Sequence, residues 1–120
     1  MTDPKKLVCL VSQGCHDRIQ SSNQTNALAW FHARRVPHAT VNGNDPGQRD
    51  ARNALFAVSG IRGNYPQFFF EYPDGTVRYF GDFAKIEGLN ETNGLSPELL
   101  AQHPELETWD KVFGSVVESF

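Results

Sequence analysis

The chain has 120 residues, enough for one domain with a real core, and no division into two or three domains is expected. Lys and Arg number 11 against 14 Asp and Glu, a formal net charge of −3, and the basic residues are scattered, so no stripe suits a phosphate backbone and nucleic acid is set aside as a partner. No apolar run approaches the ~20 residues of a membrane span, and residues 1–6 are polar ahead of a short run at 7–11, so there is no signal-peptide core and a cytoplasmic protein without membrane contact is expected. Cys9 and Cys15 are too far apart for a C-x-x-C pair, and no disulfide is expected between them.

Residues 7–11, Leu-Val-Cys-Leu-Val, form a short continuous apolar run that suits a strand buried on both faces. A polar loop, Ser12-Gln13-Gly14, follows. From about 17 to 35, Ile19, Ala27, Leu28, Trp30 and Phe31 recur at helical spacing, with the better hydrophobic face in the second half and Pro37 as the stop. Residues 38–41 read as a weak strand broken by Asn42-Gly43-Asn44. Asp45-Pro46, then Ala51, Ala54, Leu55 and Val58, then Gly60, give a second helix an N-cap, a proline at its first position and a C-terminal glycine.

Gly63-Asn64-Tyr65-Pro66 leads into Gln67-Phe68-Phe69-Phe70. Proline lacks the ladder N–H, so Pro66 opens a strand rather than sitting inside one, and X-Pro is the one peptide bond with a realistic chance of being cis. Residues 67–71 and 76–80 are aromatic-rich strands joined by a Pro73-Asp74-Gly75 turn, hence an antiparallel hairpin. Tyr79 and Phe80 cannot both point into one core from an edge strand, and the C-terminal segment is expected to cover the one that faces outward, the alternative being an exposed aromatic that serves as a partner-binding surface. Gly81-Asp82 opens a third helix, 83–89, with Asp82 as N-cap. The order β-α-β-α-β-β-α, with a strand-helix-strand crossover and a final hairpin, describes a mixed sheet flanked by helices, the thioredoxin-like α/β architecture.

Residues 5–90 resemble the glutaredoxin branch of that fold, and most closely the SH3-domain-binding glutamic-acid-rich-like proteins. The resemblance is carried by the first strand and its cysteine-poor loop, the first helix with Leu28, Trp30, Phe31 and Val36 at its end, the Tyr65-Pro66-Gln67 strand opening, and Gly81-Asp82-Phe83. It implies a cis Tyr65-Pro66 bond, a ligand groove with Tyr65 and Pro66 as its wall, and Gly81 and Asp82 at the place where glutaredoxins hold the γ-glutamyl end of glutathione. The resemblance also implies an adaptor that binds a protein partner, since those relatives have lost the catalytic cysteine pair. Their proline-rich SH3 ligand has no counterpart here, so SH3 binding does not transfer.

The loop Ser12-Gln13-Gly14-Cys15-His16-Asp17 holds one cysteine and no resolving partner, so disulfide reductase chemistry is not expected. Cys15, near a helix start and beside His16, leaves open a monothiol glutathione-dependent oxidoreductase or transferase, with glutathione as the one cofactor in view. Cys9 reads as core filling. The four histidines share no ligand spacing, and no metal site is expected. The serines have no defensible base, and no phosphate-binding glycine pattern occurs.

Residues 91–120 extend past the resemblance, yet are expected to belong to the same compact unit. Ser96-Pro97-Glu98 starts one short helix. Pro104 is expected to start a longer amphipathic one, whose stripe of Leu106, Trp109, Val112, Phe113, Val116, Val117 and Phe120 must be buried on the domain, on a partner or on a second copy, so a homodimer stays open. Trp109, Phe113 and Phe120 are the candidate partner anchors. The expected function is a non-catalytic binding module, with monothiol chemistry and assembly through the terminal helix as competitors.

Overall fold

A computed structural model describes residues 4–120. Four strands, β1 (Lys6–Val11), β2 (Ala39–Asn42), β3 (Gln67–Glu71) and β4 (Val77–Asp82), form one mixed sheet in the order β2-β1-β3-β4. β1 pairs parallel with β2 and antiparallel with β3, and β3 pairs antiparallel with β4. β1 and β3 are therefore interior strands, which is why both read as near-continuous apolar runs. Alternation sends Leu7, Cys9, Val11, Phe68 and Phe70 to one face and Leu10 and Phe69 to the other. The hairpin register shifts between Phe68 and Phe69, so that Phe80 is the extra residue of a bulge between Tyr79 and Gly81.

The larger core joins the first face to α1 (Arg18–Ala33) through Ala27 and Phe31 and to α3 (Phe83–Glu91) through Ile86 and Leu89. The smaller core sets α2 (Arg49–Ser59), through Leu55 and Phe56, against Leu10 and Phe69. α1 starts at Asp17, whose Oδ1 accepts from the amides of Ile19 and Gln20 at 2.9 and 3.1 Å. It ends before Pro37 can act: the Val36 amide donates to Phe31 O and that of Arg35 to His32 O, with Arg35 in the left-handed region at φ 57°. That is a Schellman closure with arginine in the glycine position. Asp45-Pro46 begins a 3-10 turn, Pro46–Gln48, and α2 follows it; Gly60, at φ 74°, closes α2.

The C-terminal segment differs from the long amphipathic helix expected over 104–120. After a 3-10 turn, Thr92–Gly94, come two short helices, α4 (Pro97–Gln102) and α5 (Trp109–Phe113). Thr108 caps α5 through the Lys111 amide, and Gly114 ends it. Beyond it Val116 bridges Lys5 in parallel, and the Val117 amide donates to Lys5 O at 2.8 Å. The apolar stripe thus continues as extended chain alongside the start of β1, where β-branched Val116 and Val117 are well suited. Trp109, Val112, Phe113 and Val116 complete the larger core. Phe31 lies at the centre of this aromatic cluster, with ring centroids 5.7 Å from Phe68, 5.4 Å from Trp109 and 5.3 Å from Phe113. Phe80 packs at a tilt on Phe70 and meets Phe113 of the C-terminal segment, whereas Tyr79 meets Phe69 on the other face, so that segment covers Phe80 and not Tyr79.

Candidate functional site

α1 carries an inward stripe at Gln20, Gln24, Ala27 and Phe31, spaced as one helix face. Its C-terminal half is apolar and enters the core; its N-terminal half is polar and ties down the neighbouring loops. Gln24, buried, accepts from the Ser12 amide at 2.7 Å and donates to Ser12 O at 2.9 Å, fixing the loop that leaves β1. Gln20 Oε1 accepts from the Tyr65 amide at 3.1 Å, across 45 residues of sequence. One helix face thus positions both the cysteine loop and the segment that opens β3.

Cys15 lies at this junction. Its amide donates to Ser12 O, and its Sγ is 3.7 Å from Asp17 O and 3.9 Å from Gln20 Oε1. The thiol is half-buried, whereas Cys9 is wholly enclosed and burial pushes its thiol strongly up. His16, next to Cys15, is exposed, and among the described residues no hydrogen bond joins the two. Tyr65 precedes Pro66 through a cis bond. Burial raises the Tyr65 phenol above its usual range, Arg52 opposes this, and Cys15 adds to it.

Beside this junction runs an open groove of about 370 Å³ between the start of α1 and the start of α3. Tyr65 and Pro66 form its wall and Asp82 lines its far side, so three of the four groove residues read from the sequence come together. Gly81 does not line it. Gly81 is buried against Lys85, where an added Cβ would meet the Lys85 stem at 2.8 Å, so its lack of a side chain makes room for α3. Asp82 also caps α3, accepting from the Lys85 amide at 3.3 Å.

The groove has further lining residues that the sequence analysis did not assign to a site: Asp17, Ile19, Gln20, Phe83 and Glu87 among them. The available signal was the pair of glutamines interrupting an otherwise apolar helix face. Among the described residues no lysine, arginine or histidine lines the groove, so the carboxylates of Asp17, Asp82 and Glu87 give it a negative field. Ile19, 73 % exposed at its rim, and Phe83, stacked on Trp30 at 5.6 Å, supply apolar contact.

The three anchors expected from the C-terminal segment fall apart as a group. Trp109 and Phe113 are buried in the domain's own core at 3 % and 5 % exposure, so neither offers a surface to a partner. Phe120 is exposed, with the Lys6 ammonium 4.6 Å above its ring. Among the described residues no cluster of His, Cys, Asp and Glu suits a metal ion, and no helix is long and apolar enough to cross a membrane. Comparison with known proteins finds no family whose pattern matches the chain and no curated protein that is similar to it.

Proposed function

We propose that the chain is a thioredoxin-like domain of glutaredoxin type that works as a non-catalytic binding module, taking an extended, positively charged segment of a protein partner in the groove beside Pro66. The element order and the β2-β1-β3-β4 sheet support the fold reading. The observation that carries the binding reading is the groove's lining, three carboxylates and, among the described residues, no cationic side chain, beside an exposed isoleucine. Glutathione carries two carboxylates and one ammonium, so this field opposes it, whereas a lysine or arginine flanked by an apolar residue matches it. Gln20 occupies the Tyr65 amide, the donor that a glutaredoxin ligand would need. The lone half-buried thiol at Cys15 leaves monothiol chemistry as the competing reading, while assembly through a terminal helix loses its long helix and two of its three anchors.

An amide-resolved NMR titration of the full chain separates these readings. A short peptide with an Arg-Leu-Lys core is expected to give saturable, salt-sensitive shifts at Gln20, Tyr65, Asp82 and Phe83, and reduced glutathione none at millimolar concentration. Saturable glutathione shifts at Cys15 and Tyr65, with no response to the basic peptide, would replace the binding module by the monothiol enzyme.

A further inference from the structure

A second pocket, about 410 Å³, opens between the β3–β4 hairpin and residues 104–107, and it shares no residue with the groove beside Pro66. Phe70 and Phe80, with ring centroids 4.9 Å apart, form an apolar floor, and Tyr72 extends it. The opposite wall is fixed in place: the Lys111 ammonium donates to Pro104 O at 2.7 Å and to Leu106 O at 2.8 Å. Lys111 is thereby occupied. Glu107 is drawn outward to Lys85, 2.6 Å away, and Glu105 meets His103 at 3.3 Å.

Lys5 remains. It is 8 % exposed, its ammonium lies 4.3 Å from the centre of the Phe70 ring, and it has neither a hydrogen-bond acceptor nor an ion-pair partner among the described residues. Its backbone is pinned on both sides, the amide to Ser115 O and the carbonyl to the Val117 amide, so the root of the side chain is fixed at the edge of the pocket. Burial holds this ammonium below the ordinary lysine range, with Glu107 only partly opposing. A partly desolvated ammonium with no direct ion pair among the described residues is under-compensated, and a carboxylate in the pocket would supply that pair.

We propose that this pocket binds the carboxylate of a small acid with an aromatic or branched apolar body, the acid group on Lys5 and the body on Phe70 and Phe80. The dimensions suit it, since pockets for small ligands combine apolar walls with one or two placed polar groups in a few hundred Å³. Such a carboxylate could belong to a free acid or to the C-terminus of a peptide, and the two are distinguishable.

The test is a titration of the full chain with phenylacetate, followed through the Lys5 side-chain and the Phe70 and Phe80 ring resonances. Saturable shifts are expected, with the dissociation constant weakened about tenfold or more in Lys5→Met, which keeps the apolar stem and loses the charge. Phenylacetamide, the neutral counterpart, is expected to bind the wild type at least about tenfold more weakly than phenylacetate, a comparison that holds even if Lys5→Met misfolds. Tighter binding of N-acetylphenylalanine than of phenylacetate would assign a peptide C-terminus as the source, and the reverse a free acid. Linear, unsaturable shifts at millimolar phenylacetate, or equal binding of acid and amide, would overturn the proposal.

Discussion

Replacing Trp109 by alanine tests whether the C-terminal segment is part of the core. Trp109 is 3 % exposed, its ring is 4.5 Å from Phe113 and 5.4 Å from Phe31, and the Arg34 guanidinium lies 4.4 Å above it. Truncating a buried tryptophan costs about 3–5 kcal/mol through lost transfer energy and the cavity left behind. The aromatic pairs and the cation over the ring add to that, each roughly 0.5–1 kcal/mol and not independently. A loss of about 4 kcal/mol is a large share of the roughly 5–15 kcal/mol that holds a domain of this kind folded. With a urea dependence of about 2 kcal/mol per molar, the midpoint should fall by about 2 M. Equilibrium unfolding followed by circular dichroism reads this without relying on the fluorophore that has been removed. Association state, read by sedimentation, should not change where the variant remains folded. A midpoint within about 0.3 M of wild type, or loss of an oligomer without loss of stability, would refute the assignment of Trp109 to the domain's own core.

Arg35→Gly should raise stability by about 0.5–1 kcal/mol, because arginine at φ 57° holds a conformation that glycine adopts without a Cβ clash; a loss of that size in thermal unfolding would count against the Schellman closure. In the native protein iodoacetamide should modify Cys15 and spare Cys9, which reacts only in denaturant, and equal native labelling in a peptide map would contradict the burial of β1. Burial raises the phenols of Tyr65 and Tyr79, so just above their usual range the folded chain keeps protons that the unfolded chain has lost. The tyrosine part of stability is therefore present below pH ~10 and falls as pH rises through the raised values. Phenolate absorbance should titrate higher in the native protein than in denaturant, and coincident curves would refute it.

Much of the sheet was legible in local chemistry. Proline confined to a strand opening, a Pro-Asp-Gly turn between aromatic runs, and Asp45, Asp82 and Gly60 at element ends each constrain the backbone within a few residues, and the structure has strands, turn and caps at those places. Part of the groove was legible for the same reason, since Tyr65, Pro66 and Asp82 belong to such local signals. The rest was not. Gln20 matters because it reaches an amide 45 residues away, and Gly81 serves α3 rather than the groove because Lys85 lies against it, facts that no local pattern carries.

The C-terminal segment shows the same division most plainly. Its sequence determined that Trp109, Val112, Phe113 and Val116 had to leave water, because that much apolar surface is too costly to expose. Their spacing is equally compatible with a helix and with a short helix followed by extended chain. Tertiary structure decided between them: Lys5, at the start of β1, offered backbone partners to Ser115 and Val117, and a ladder contact there satisfied groups that a longer helix would have had to satisfy internally.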